Sequence, residues 1–406
     1  MTQTRRQFLG ATLRGSTLVS MGLSAPTFLC RTALAAAKSP PPGDRVLVVI
    51  QLSGGNDGLN TVVPFGDELY AKNRTSLQIP IDQVKKIDDY CGLHPSLEGF
   101  AKLLEDGQLS VLHGIGYPNP SRSHFRSMDI WHTASLAEKL PNEGWLGRAI
   151  SRPELRREGV MTAVHFGGKL PLALVGRSVE VPSLTSLDDY KLHAGVASRG
   201  QLAAVAASQR GDSTLQFLQR TTLEAYSSSG KIEEMTRKYD TPVSYPPNDL
   251  ARKLKLIAQL IDSGLGTRIF YVSLDGFDTH ANQIPAHANL LRELGDAVKA
   301  FMDDLGHHGH RDRVLAMTFS EFGRRVKENG SRGTDHGAGA PMFLVGGKVR
   351  AGQVGRYPSL SDLDDGDLKF HTDFRGAYAA ILEEWLNCPS APVLGDTFER
   401  PQVLAS

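Results

Sequence analysis

Residues 45–52 read R-V-L-V-V-I-Q-L, an almost unbroken apolar run that is stable only inside a sheet covered on both faces. Five further short runs of this character follow, at 110–115, 162–166, 268–274, 313–318 and 342–345, several of them rich in Val or Ile. Between them lie segments with helical spacing of apolar residues, at 97–104, 214–226, 250–261 and 290–305. In the last, Leu290, Leu294, Val298, Phe301, Met302 and Leu305 share one face. Strand and helix in alternation predict an α/β fold: a doubly wound, mostly parallel sheet with helices on both faces. Residues 202–245 are polar and poor in strand signals, and read as a helical insertion. The acidic stretch 363–367 reads as a solvated loop.

The N-terminal segment stands apart from this pattern. Arg5-Arg6 in T-R-R-Q-F-L-G precede an apolar stretch at 16–29 and then A-L-A at 33–35, the order of parts in a twin-arginine signal peptide, here residues 1–37. Phe28-Leu29 stand before Cys30 where a lipid-anchor site needs small residues. No later run reaches the ~18 apolar residues of a membrane span. The expected product is one α/β domain over 44–406, passed through the twin-arginine translocase to the periplasm or beyond without a membrane anchor. Cys91 and Cys388 remain in it, either paired or as two buried thiols. With 45 Lys+Arg against 44 Asp+Glu the net charge is +1, which argues against a nucleic-acid or anionic-membrane binder.

Ligands of doubly wound sheets bind beyond the carboxyl ends of the strands, so the polar residues there carry the functional reading. After the first run comes S-G-G-N-D-G-L-N-T, with Asp57 and Asn60 among glycines. Asp57 can hold a cation or serve a Gly-rich turn. After 111–115 comes G-Y-P-N-P-S-R-S-H-F-R-S. Pro118 and Pro120 delay a helix until about Ser121, which sets Ser121, Arg122, Ser123 and His124 at a helix N-terminus that favours an anion. Ser123, ahead of Ser121, is the candidate nucleophile with His124 beside it, and a capping serine is the alternative. After 268–274, D-G-F-D-T-H brings Asp275, Asp278 and His280 within six positions, a plausible ligand set. S-E-F-G-R-R then places Glu321 and Arg324, and T-D-H-G-A-G-A-P places Asp335 and His336 just before the next strand. His307, His308 and His310 read as a solvated helix end, and His94, His113, His132 and His165 as core or surface residues.

Taken together, G-G-N-D-G-L-N-T, S-R-S-H-F, L-D-G-F-D-T-H, S-E-F-G-R-R and T-D-H-G-A-G-A-P, behind a twin-arginine leader, resemble the exported bacterial family known as domain of unknown function 1501. That family is grouped with the alkaline phosphatase-like superfamily of sulfatases and phosphoglycerate mutases, and the resemblance spans nearly the whole mature chain. It implies an alkaline phosphatase-like fold and a metal-binding Asp after the first strand, matched by Asp57. It implies a nucleophile at a helix N-terminus, matched by Ser123 or Ser121. An Asp and His after a later strand are matched by Asp275 and His280, with Asp278 as a second acid. A final His before a Pro-containing strand is matched by His336. The chain departs where the superfamily has adjacent Asp-His, since Ser320-Glu321 stand there, and Pro118 occupies the place of the sulfatase cysteine.

The activity these readings imply is metal-assisted hydrolysis of a phosphate or sulfate ester on a small molecule or polymer. One or two divalent ions (zinc, or magnesium, manganese or calcium) would sit on Asp57, Asp275, Asp278, His280, Glu321, Asp335 and His336. Ser123 would attack, and Arg122, Arg126, Arg324 and Asn60 would contact the ester. The alternative is an exported binding or assembly protein that keeps the fold and an altered metal site without turnover.

Overall fold

The structure, a computed structural model, describes residues 44–156, 160–177, 179, 181–184 and 239–405. The leader read at 1–37, the helix read at 214–226 and most of the insertion read at 202–245 lie outside them. The described end of that insertion, 239–245, is irregular chain rather than helix. It is held by Thr241 and Tyr245, whose hydroxyls donate to the buried carboxylate of Asp304 at 2.6 and 2.7 Å.

All six expected strands form, each within a residue or two of its reading. They are β1 (Val46–Ser53), β2 (Leu109–Gly116), β3 (Ala163–Phe166), β5 (Ile269–Asp275), β6 (Val314–Phe319) and β7 (Ala340–Gly346), with the short β4 (Ser183–Leu184) and β8 (Gly352–Val354) at the edges. Their order is β8-β2-β7-β6-β1-β5-β3-β4. Every neighbouring pair is parallel except those made by β7, which runs antiparallel to both β2 and β6. Pro341 cannot donate to a ladder, and it lies where the β7 register shifts between Ala340 and Met342.

Strand β1 shows why the sheet must be covered twice. Val46, Val48, Ile50 and Leu52 enter one core with Leu254, Ile257, Leu294, Val298 and Phe301. Leu47 and Val49 enter the opposite core with Trp131, Trp145, Tyr378 and Trp385. The first side is built by α1 (Glu98–Glu105), α3 (Asp249–Asp262) and α4 (Gln283–His307). The second is built by α2 (His124–Thr133) and α5 (Phe374–Ala380). Helix α4 starts seven residues before its apolar stripe because Gln283 and His287, polar yet buried, pack through hydrogen bonds. Asp373 caps α5 by accepting from the Arg375 N–H at 2.9 Å.

One expectation is corrected. The acidic stretch 363–367 is solvated only in part: Asp364 and Asp365 are exposed, but Leu363–Asp364 (β9) pairs antiparallel with Asp367–Leu368 (β10), and Asp367 is 3% exposed. Arg122 and Arg325 supply the counter-charge that makes this burial tolerable. Cys91 and Cys388 are both buried and free. Among the described residues, no helix is long and apolar enough to cross a membrane.

The topology gathers the motifs. Because β1, β2, β5 and β6 point the same way while β7 points back, the loops leaving those four strands and the loop entering β7 meet at one sheet edge.

Candidate metal centre

Asp278 is the hub of this edge. The His280 and His336 Nε2 atoms lie 3.0 and 3.1 Å from its Oδ1, and 2.9 Å from one another. His124 Nε2 approaches the other oxygen, Oδ2, at 3.5 Å. One donor atom each from His124, Asp278 and His336 fall within 4.8 Å of one another.

The far nitrogens explain the orientation. His336 Nδ1 lies 2.8 Å from the Arg122 carbonyl oxygen, and His124 Nδ1 lies 2.8 Å from Glu321 Oε1. Both acceptors require a proton on Nδ1, which leaves the Nε2 lone pair facing Asp278. His280 Nδ1 is 3.5 Å from Asp335 Oδ1 in the same sense. An imidazole whose outer N–H is held by a carboxylate or carbonyl is prepared as a metal ligand. Lone pairs converging at about 3 Å repel unless a proton or a cation lies among them. Ligands of a tetrahedral zinc ion at ~2.0–2.1 Å stand roughly 3.3 Å apart. His124, Asp278 and His336 therefore fit a borderline cation, while His280 Nε2 also lies 3.5 Å from Arg324 Nη1. Burial pushes the Asp278 pKa up, but the Arg324 guanidinium against it outweighs burial, and the carboxyl titrates at about 2.

Glu321, expected as a ligand, instead orients one: beyond His124 it accepts from the Gly54 N–H at 2.9 Å. The Ser320 beside it stitches two loops, donating to the Leu52 carbonyl at 2.7 Å and accepting from the Asn56 N–H at 2.9 Å. Gly54 has φ +120°, and a Cβ there would lie 2.4 Å from the Asp278 backbone nitrogen, so only glycine lets these loops close.

Asp57 stands outside the cluster. It is 0% exposed and takes a two-pronged bond from Arg74, Nη1 to Oδ2 at 2.5 Å and Nη2 to Oδ1 at 2.9 Å, with Gln283 donating a third. Burial raises its pKa, but the Arg74 charge and hydrogen bonds dominate and hold it at about 2. Asp275 is exposed at the end of β5 and is not in the cluster. Asp335 reaches it only through His280.

The expected ester-binding residues are mostly committed elsewhere. Arg324 is 1% exposed and fixed by the carbonyls of Gly54, Gly55, Phe277 and Thr334, with Nη2 2.7 Å from Asp278 Oδ1. Arg126 donates to the carbonyls of Leu136, Ala137 and Glu138. Asn60 is buried, donating to the Leu77 carbonyl and accepting from the Tyr70 hydroxyl. Arg122 is paired with Asp365 and Asp367. Ser123 is exposed and is the N-cap residue of α2 without a side-chain capping bond, and Ser121 Oγ accepts from the Ser123 N–H at 3.3 Å. A cleft of about 630 Å³, walled by Asn119, Arg122, Ala338, Asp364, Lys369 and Phe370, shares Arg122 with the surroundings of the cluster but none of the cluster's own side chains.

Arg74, Gln283 and His287 escaped the sequence reading. Each is a single polar residue inside an ordinary helical or loop stretch, and no spacing marks it.

Residues 44–367 match the family described as "Protein of unknown function (DUF1501)". No curated protein matches the chain. Among solved structures it is similar to a protein in the alkaline phosphatase superfamily from Vibrio parahaemolyticus, at 9% identity over 91% of this chain and 77% of that one, with a TM-score of 0.38. It is similar also to the PsFucS1 sulfatase from Pseudoalteromonas sp., at 13% identity over 79% and 67%, TM-score 0.34. A third is the C-terminal periplasmic domain of EcEptC from Escherichia coli in complex with Zn, at 10% identity over 76% and 74%, TM-score 0.35.

Proposed function

We propose, from the premise that the chain belongs to the DUF1501 family, that it is an exported hydrolase of phosphate or sulfate esters built on one divalent ion. The observation that carries this reading is the convergence of three imidazole Nε2 atoms on Asp278 while their Nδ1 atoms face oxygen acceptors. His124, Asp278, His280 and His336 would hold the ion. A set of three imidazoles and one carboxylate suits zinc better than magnesium or calcium, which prefer all-oxygen sites. Such an ion, when bound, neutralises charge on the ester oxygens and lowers the pKa of a bound hydroxyl.

One arginine supports a count of one: Arg74 neutralises Asp57, so the acid that would carry a second ion is already paired.

The rest of the reaction falls to the chain itself. The N–H groups of His124, Phe125 and Arg126, in the first turn of α2, have no partner among the described residues and face the positive end of the helix. They would bind the non-bridging oxygens. Ser123 Oγ, free of capping duty, would attack phosphorus or sulfur, losing its proton to solvent and forming an Oγ–P or Oγ–S bond as the P–O or S–O bond to the leaving alcohol breaks. The leaving alkoxide takes up a proton from solvent, and water then cleaves the serine ester. The cleft walled by Arg122 would receive the alcohol portion.

The twin-arginine pair and A-x-A sequence support export to the periplasm or beyond, with the translocase as transient partner. The test of the chemistry is Ser123→Ala in metal-loaded protein against aryl phosphates and aryl sulfates. Expected is unchanged metal content with turnover down roughly 1,000-fold or more. An unchanged rate removes Ser123 as nucleophile. The pairing of Asp57 with Arg74 also favours a second reading, a binding protein that holds one ion without turnover. Metal-loaded wild type that retains aryl esters but never cleaves them would select it.

A further inference from the structure

The acidic hairpin β9–β10 touches three of the segments that build the metal centre. Its Gly366 carbonyl accepts from the Val326 N–H at 3.3 Å, and its Leu368 carbonyl accepts from the Gly339 N–H at 3.2 Å. Its third contact is made by side chains. Arg122 Nε and Nη2 donate to Asp367 Oδ2 at 3.0 and 2.8 Å, and Arg122 Nη2 also donates to Asp365 Oδ2 at 2.9 Å. Asp367 Oδ1 lies 3.7 Å from Arg325 Nε. The side chain of Asp367 is 4% exposed and that of Asp365 is 76% exposed, so Asp367 is the anchor and Asp365 a solvated accessory.

Arg122 is also the residue whose carbonyl faces His336 Nδ1 at 2.8 Å. We propose that Asp367 is a positioning residue for the metal centre: by clamping the Arg122 side chain it fixes the Arg122 carbonyl, which sets the tautomer and ring orientation of His336. The chain of contacts is Asp367 to Arg122 to His336, and none of its links involves Asp278 or the other two imidazoles. This inference rests on the reading of His336 as a ligand, but the tautomer it sets is a property of the metal-free protein too.

The physical expectation follows. Outer partners of a ligating imidazole typically contribute 10- to 100-fold in metal affinity. Asp367→Asn keeps the size of the side chain and removes the charge that holds the guanidinium. Zinc affinity, measured by competition with a chromophoric chelator, is expected to fall about 10- to 100-fold, while Asp365→Asn changes it less than about twofold. In the metal-free protein, the ring ¹⁵N signals of His336 should report one Nδ1–H tautomer in wild type and a mixture in Asp367→Asn. Should Asp367→Asn fail to fold, Arg122→Lys, which keeps a cation but loses the fork, is expected to give the same tautomer mixture.

Wild-type His336 signals in both folded variants would overturn the proposal, as would zinc affinity equal to wild type in Asp367→Asn. If wild type itself binds no zinc, the metal reading fails while the tautomer measurement still decides the positioning role.

Discussion

Asp57→Ala is expected to lower the unfolding free energy by about 3–5 kcal/mol, the largest stability loss among single changes at this edge of the sheet. The reason lies in what the substitution leaves behind. Arg74 is itself 0% exposed, and without Asp57 its guanidinium keeps bonds only to the carbonyls of Arg325 and Val326, which carry no balancing charge. Gln283 loses its acceptor as well. Urea unfolding of the purified protein measures this directly, and a loss under about 1 kcal/mol contradicts the assignment of Asp57 to an internal ion pair. Replacing both partners by apolar residues, Asp57→Leu with Arg74→Met, should recover much of the loss, since no unpaired charge remains.

The same pair sets an acid response. Asp57 titrates at about 2 in the folded protein, below its ordinary value of 3.8. The unfolded chain therefore takes up this proton at higher pH than the folded one. The contribution, about 2 kcal/mol, is complete above the unfolded pKa and drains away as pH falls from about 4 through 2. Asp57→Asn should remove that part of the pH dependence.

Asp278→Ala is expected to cost metal affinity more than any other single change, by two routes. It removes the carboxylate on which all three imidazoles converge. It also frees Arg324 Nη2, held at 2.7 Å from Oδ1, to present uncompensated positive charge to the ion. A structural zinc site is worth about 10–16 kcal/mol over four ligands, so one ligand accounts for roughly 3 kcal/mol, on the order of 100-fold. The added charge makes the expected loss larger than that. Competition against a chelator reads it, and a loss of less than about tenfold would place the ion elsewhere. Asp278→Ala also leaves the buried Arg324 guanidinium with carbonyl partners alone, so urea stability should fall too, but by less than in Asp57→Ala, because the Asp278 carboxylate is itself half in solvent.

That contrast marks the limit of what sequence could give. The strands and the motif order were legible because apolar runs with both faces covered leave one architecture, and a parallel sheet sends its loops to one edge. Asp278, His280 and His336 were legible as donors on such loops. The division of labour among the carboxylates was not. Asp57 and Asp278 both follow a strand in a Gly-containing loop. One becomes an ion-pair partner and the other a hub because Arg74, 17 positions downstream, folds back beneath the first. Nothing in N-R-T-S-L announces that return. Glu321 likewise occupies a ligand's place in sequence, but its oxygens are taken by the Gly54 N–H and His124. The acidic run 363–367 looked solvated because its counter-charges, Arg122 and Arg325, come from segments about 240 and 40 residues away in sequence.

The most direct test is elemental analysis of the protein purified without chelator, beside Asp278→Ala and Asp57→Asn. The account predicts one zinc per chain in wild type, none in Asp278→Ala, and one in folded Asp57→Asn. No metal in wild type under any loading condition, or a second ion that disappears with Asp57→Asn, would contradict it.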